Sequence, residues 1–195
     1  PFFVVSDIVI AETTCDGKKK MYELIADRKP QHILELTQKV DEDEAYGHWL
    51  SEVRKLRKAL SEHFGRDVSE SDLEEAIRLM NRERRLLRRA LELGRRKPSI
   101  VTGMELARLR YRISGLPEHH RMLEEFVISA EERGSAVCGP DAPRVMVTGC
   151  PMSEGTFKVI ELIEECGGVV VVQETCSGWK PLDTLTEEGT GDPLD

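Results

Sequence analysis

The chain has 195 residues, of which 39% are hydrophobic and 33% charged, so it can bury a core as one large or two small globular domains. A formal charge of -8 excludes a general attraction to nucleic acid or to an anionic membrane surface, and no apolar run approaches the ~20 residues of a membrane helix. The five cysteines, Cys15, Cys138, Cys150, Cys166 and Cys176, are odd in number and irregularly spaced, which argues against a disulfide scaffold and for a reducing cytoplasm.

The chain opens on Pro1 and passes directly into "FFVVSDIVIAE", so we expect it to be a piece of a longer protein. Phe2–Ile10 is apolar and β-branched apart from Ser6 and Asp7, the composition of a buried parallel strand. Asp16 is the candidate N-cap of a helix from about Lys18 to Arg28, with Met21, Leu24 and Ile25 on one face. Pro30 stops that helix, and His32–Leu36 reads as the next strand, completing a right-handed β-α-β unit.

A long helical stretch follows. Trp49, Val53, Leu56 and Leu60 recur at helical spacing between about Glu44 and Phe64. Ser69 caps a second helix, with Val68 and Leu73 placed as a hydrophobic staple, and that helix continues to about Leu93 with Gly94 as its stop. Thr102 and Glu105 form a capping box for a shorter helix closed by Gly115, and Pro117 opens another that reaches about Arg133. "GSAVCGPDAPR" is the linker candidate. Beyond it, "RVMVTG", "EGTFKVIELIEEC" and "VVVVQE" make a second β-α-β unit.

The fold class is therefore α/β: two Rossmann-like parallel-sheet domains with a helical section between, both domains incomplete. The expected divisions are 1–40 for the remainder of the first α/β domain, 41–133 for the helical section, 134–144 for the linker and 145–195 for the start of the second α/β domain.

Three of the cysteines, Cys15, Cys150 and Cys176, follow predicted strands at their carboxyl ends, the edge where open α/β sheets bind ligands. Cys15 and Cys150 also precede helix N-termini, whose dipoles and free N–H groups favour a thiolate, and Lys18, Lys19 and Lys20 add positive charge beside Cys15. Such surroundings suit an anionic iron–sulfur cluster held by thiolates. No CxxC pair exists, so any metal ligands converge from distant segments. Cys166 and Cys138 read as small core side chains, and His119 and His120 as surface residues at a helix start. "NRERRLLRRALELGRRK" reads as a solvated helix face. "GCPMSEG" is neither a Walker A loop nor GxGxxG, and neither an HExxH zinc motif nor a G-x-S-x-G elbow occurs.

Three stretches, "SDIVIAETTCDGKKKMYELI", "LEEAIRLMNRERRLLR" and "RVMVTGCPMSEGTFKVIELIEECGGVVVVQETCSG", resemble the 2-hydroxyacyl-CoA dehydratase family, also called the 2-hydroxyglutaryl-CoA dehydratase D-component family, to which benzoyl-CoA reductase subunits belong. "ETTCDGKKKMYE" and the cysteines of "TGCP" and "ETCSG" are most similar to its double-cubane cluster branch. The resemblance implies an oxygen-sensitive iron–sulfur cluster, [4Fe-4S] or double-cubane [8Fe-9S], between two domains. It implies Cys15 as a cluster ligand matching the whole family, and Cys150 and Cys176 as ligands matching the double-cubane branch. Further ligands are expected outside this chain, which is then inactive in isolation.

An ATP-dependent iron–sulfur activator would supply single electrons for dehydration of an (R)-2-hydroxyacyl-CoA. The alternative within the family is ATP-dependent reduction of small molecules at a double-cubane cluster. Implied partners are the activator, an acyl-CoA substrate, and a second copy or a related subunit as homodimer or heterodimer. Neither nucleic acid nor membrane is expected. A third reading, from another class, is a cluster-free α/β binding module with incidental cysteines.

Overall fold

The computed structural model describes residues 2–176 and 178–194. The chain divides into two compact units, Pro1–Glu74 with Gly189–Asp195, and Glu75–Glu188.

The first unit contains α1 (Phe2–Val5), β1 (Val9–Glu12), α2 (Asp16–Ile25), β2 (Gln31–Leu34), α3 (Asp43–Phe64) and the first turn of α4 (Glu70–Arg95). β1 and β2 pair in parallel from Val9↔Gln31 to Glu12↔Leu34, with α2 as the crossover. The expected strand over Phe2–Ile10 is replaced by a helical turn and a later, shorter strand. Ser6 Oγ donates to Phe3 O at 3.1 Å, closing the turn before Asp7, and Val4 and Val5 are exposed.

β2 is likewise shorter than the His32–Leu36 reading. Just beyond it the Glu35 amide donates to Glu52 Oε2 (3.1 Å) and the Leu36 amide to Thr13 Oγ1 (2.9 Å), so side chains take the donors that a ladder would use. Cys15, not Asp16, occupies the N-cap of α2. Asp16 stands in the first helical turn, where its charge favours the dipole.

The second unit carries the rest of α4, α5 (Gly103–Arg110), α6 (Pro117–Arg133), β3 (Arg144–Gly149), α7 (Lys158–Glu165), β4 (Val169–Thr175) and a 3-10 turn over Lys180–Leu182. Local signals set the helix ends. Ser69 Oγ accepts from the Asp72 amide (3.1 Å) while Asp72 Oδ2 accepts from the Ser69 amide (2.9 Å), which starts α4. Thr102 and Glu105 form the full capping box of α5. Pro117 opens α6 and left-handed Gly134 (φ 56°) ends it. Two boundaries differ from the sequence reading: α4 passes through Gly94 to Arg95, and α5 stops at Arg110, five residues before Gly115.

Leu87, Ala90, Leu93, Leu106, Leu123, Val127 and Trp179 bring α4, α5, α6 and the segment after β4 into one buried cluster. On the other side of α5, Met104 and Ala107 pack with Phe157, Ile160 and Val170. β3 and β4 run parallel, from Arg144↔Val169 through an irregularity at Val145/Met146 to Gly149↔Thr175.

Gly103 is required where α5 meets β4. A Cβ there would lie 2.5 Å from Val170 Cβ and 2.8 Å from Val170 O. Gly103→Ala should therefore cost about 1–3 kcal/mol of unfolding free energy through overpacking, measurable as a lower urea midpoint at unchanged slope.

His119 and His120 do not lie on the surface. They are 6% and 5% exposed, and with Leu123, Val127 and Ala130 they continue the buried stripe of α6. His119 Nδ1 stands 3.5 Å and His120 Nε2 3.2 Å from the buried carboxylate of Glu83, which also accepts from the Gly115 amide at 2.9 Å. The basic face of α4 is half-exposed and ion-paired, Arg85 with Glu188 (3.0 Å) and Arg89 with Glu131 (2.8 Å).

Candidate functional site

Cys150 and Cys176 each stand one residue beyond the last register pair of the second sheet, Gly149↔Thr175. Parallel neighbours lie ~4.8 Å apart in the hydrogen-bonding direction, so the chain segments bearing the two cysteines leave the sheet side by side at its carboxyl edge. Both are free and exposed. Gly149 has φ 132°, a conformation that side chains avoid, and it lets the chain leave β3 into the Cys150 loop.

A tight turn follows Cys176. The Gly178 amide donates to Thr175 O (2.9 Å) and the Trp179 amide to Gln173 O (3.3 Å), while the Trp179 side chain is buried. A surface chain ties this turn back to both strands: Lys180 Nζ donates to Glu174 Oε1 (2.8 Å), and Thr148 Oγ1 donates to Glu174 Oε2 (3.1 Å). The Glu174 carboxylate, by hydrogen bond and charge, holds Lys180 above the usual lysine range. The same hydrogen bonds, from Lys180 and then Thr148, hold the Glu174 carboxyl below its usual range.

α5 is fastened to this sheet at its N-terminal end. Glu164 Oε1 accepts from the Gly103 amide at 2.6 Å, and Gln173 Nε2 donates to Gly103 O at 2.9 Å. At its other end Arg110 Nε donates to Gly178 O at 3.1 Å. Arg110 and Tyr111 then line a small cleft with Met152, Phe157 and Gln173. Its volume of about 20 Å³ is enough for one water molecule.

Cys15 belongs to the first unit. Its carbonyl accepts from the Lys19 amide at 3.0 Å, its side chain makes no capping hydrogen bond, and it is exposed. The lysines after it are partnered. Lys18 lies 3.8 Å from Glu12, Lys19 lies 3.4 Å from Asp16, and Lys20 pairs with Glu23. Their field at the thiol is thus partly neutralised by neighbouring carboxylates, less than three free charges would give.

Cys166 is exposed at the C-cap of α7, which overturns its reading as a core residue, because the left-handed Gly167 (φ 87°) turns the chain away there. Cys138 is half-buried. Among the described residues, no group of three or more His, Cys, Asp or Glu side chains converges as a metal shell. Cys150 and Cys176 share a sheet edge, and Cys15 lies in a different unit.

Sequence reading missed Arg110, Glu164 and Gln173. The only available signal was the Gly178 of "TCSG", a turn residue directly after a cysteine segment. No helix among the described residues is long and apolar enough to cross a membrane.

An α/β chain with cysteines at strand ends fits the comparisons with known proteins. The family model for the 2-hydroxyglutaryl-CoA dehydratase, D-component, matches residues 1–195, and the chain belongs to that family. A relative from Escherichia coli (strain K12), named "Putative dehydratase subunit YjiM", is 38% identical over 199 residues, a match covering 100% of this chain and 52% of that protein. The chain thus spans about half the length of the curated relative it matches.

Proposed function

We propose that the parent protein is an iron–sulfur subunit that uses electrons from an ATP-dependent activator to dehydrate an (R)-2-hydroxyacyl-CoA, and that Cys15, Cys150 and Cys176 are ligands of its cluster. The observation that carries this reading is the pairing of Cys150 with Cys176 on one carboxyl edge, both free and exposed rather than used as core. Thiolates are the donors that iron–sulfur clusters take, so the donor chemistry fits. Two thiols at one edge do not complete a shell, and the remaining ligands come from Cys15 and from residues outside this chain. When bound, such a cluster supplies one-electron reduction at low potential.

This chain's own residues do the holding. The β3–β4 ladder sets the separation of two ligand segments, Gly149 frees one loop, and the turn after Cys176 fixes the other. The activator, a second subunit (identical or related), an acyl-CoA substrate and a cytoplasmic location belong to the same proposal. The paired cysteines also favour a second reading, a double-cubane cluster serving ATP-dependent reduction of small molecules.

The test is anaerobic iron and sulfide analysis of the full-length protein beside Cys15→Ala, Cys150→Ala and Cys176→Ala. About four irons per chain, falling with all three changes, would support the proposal; about four, sensitive to Cys15→Ala alone, would keep the dehydratase reading and remove Cys150 and Cys176 from its ligands; about eight, falling with all three, would move the protein to the double-cubane branch. A protein that takes up no iron would sink both and leave a cluster-free α/β module.

A further inference from the structure

We infer that Arg110 is a positioning residue for the Cys176 segment, clamping Gly178, two residues after Cys176, against the C-terminal end of α5. The inference rests on the proposed ligand role only for what Cys176 does; the clamp is a property of this chain alone.

α5 is a short rigid rod, eight residues or about 12 Å long. Its N-terminal end cannot drift from the sheet. Glu164 receives the Gly103 amide, Gln173 donates to the Gly103 carbonyl, and no space is left for a side chain between Gly103 and Val170. A group at the far end of this rod therefore has a fixed reference to β4.

Arg110 is that group, and it spends its Nε–H on the carbonyl of Gly178, two residues after Cys176. The side chain is half-buried, and burial is the main influence lowering its pKa, opposed by the carboxylate of Glu83. A guanidinium withdrawn from water in this way gives a directional, charge-assisted bond that a flexible surface lysine would not.

A Cβ on Gly178 would come within 2.0 Å of Gln173 O, so the residue whose carbonyl Arg110 grips lies against the backbone of β4 and takes no side chain there. β3–β4 register brings Cys176 beside Cys150, and Arg110 fixes the course the chain takes after Cys176.

Hydrogen exchange by mass spectrometry on the full chain, prepared free of metal, tests the clamp. Arg110→Met should accelerate exchange over 174–182 about tenfold while α5 itself, over 103–109, stays protected. Arg110→Lys, which keeps the stem and charge with a less directional donor, should restore part of the protection. Unchanged exchange over 174–182 in Arg110→Met overturns the inference. If Arg110→Met loosens α5 as well, Arg110→Lys decides: acceleration confined to 174–182 supports the clamp, and uniform or absent acceleration overturns it.

A second readout separates the clamp from the proposed function. After anaerobic reconstitution with ferrous iron and sulfide, Arg110→Met should hold less iron than the unmodified protein, and should cause no further loss in a Cys176→Ala background. A further loss there would mean that Arg110 does not act through Cys176, and the positioning role would fall. An exchange response in a protein that never takes up iron keeps the clamp and removes the cluster.

Discussion

Glu83→Ala is expected to lower the unfolding free energy of the unit Glu75–Glu188 by about 3–5 kcal/mol, the cost of removing one partner from a buried, hydrogen-bonded charge cluster. Glu83 is 2% exposed and is the shared acceptor for the Gly115 amide and the nearest carboxylate to His119 and His120. Without it, two imidazoles and an amide face a cavity with no acceptor. Glu83→Gln keeps the volume and should cost less, separating packing from charge. Denaturant unfolding of both variants measures the difference.

The same residue gives a pH signature with a definite sign. Burial pushes the Glu83 carboxyl up and is the largest single influence, but the Gly115 amide, the Ser114 hydroxyl and the two imidazoles together outweigh it. The net result holds the folded-state pKa below the usual glutamate range. A carboxyl with a depressed folded pKa contributes stability in full above its unfolded value of about 4.3, and loses it as pH falls through the folded value. The stability gap between the unmodified protein and Glu83→Gln should therefore be constant just above about pH 5 and narrow on acidification below about pH 4. A gap that widens on acidification would refute the carboxylate's role.

Gly178→Ala is the second large effect. The added Cβ would lie 2.0 Å from Gln173 O and 3.0 Å from the Thr175 amide nitrogen, both backbone atoms that no rotamer change can move. The turn after Cys176 must open, at a cost of about 3 kcal/mol, the upper end of ordinary overpacking. Because the core residue Trp179 follows directly, the loss should appear as lowered global stability as well as faster exchange over 174–182. On the proposed reading, iron retention should fall as it does in Cys176→Ala. Unchanged stability would mean that the turn has other shapes available to it.

The sequence alone determined the starts of α4, α5 and α6 and the placing of cysteines after strands, because these depend on residues close together in the chain. Ser69 with Asp72 and Thr102 with Glu105 satisfy backbone groups locally, and Pro117 removes one, so no distant contact is needed to predict them. Family membership was legible for a related reason: long stretches around Cys15, Cys150 and Cys176 carry it without reference to their spatial arrangement.

Tertiary structure decided what meets what. Phe2–Val5 has strand composition, but pairing reaches only Val9–Glu12, so the apolar run before it turns helical. His119 and His120 belong to a stripe with Leu123, Val127 and Ala130 that the spacing already contained, yet only the facing carboxylate of Glu83 makes their burial tolerable. Arg110 has no local mark at all. Its partner is a carbonyl 68 positions away, and sequence periodicity gives the face of a helix but not the loop that will lie against it. Cys150 and Cys176 became neighbours in the same way, through a strand register that long-range packing, not local preference, fixes.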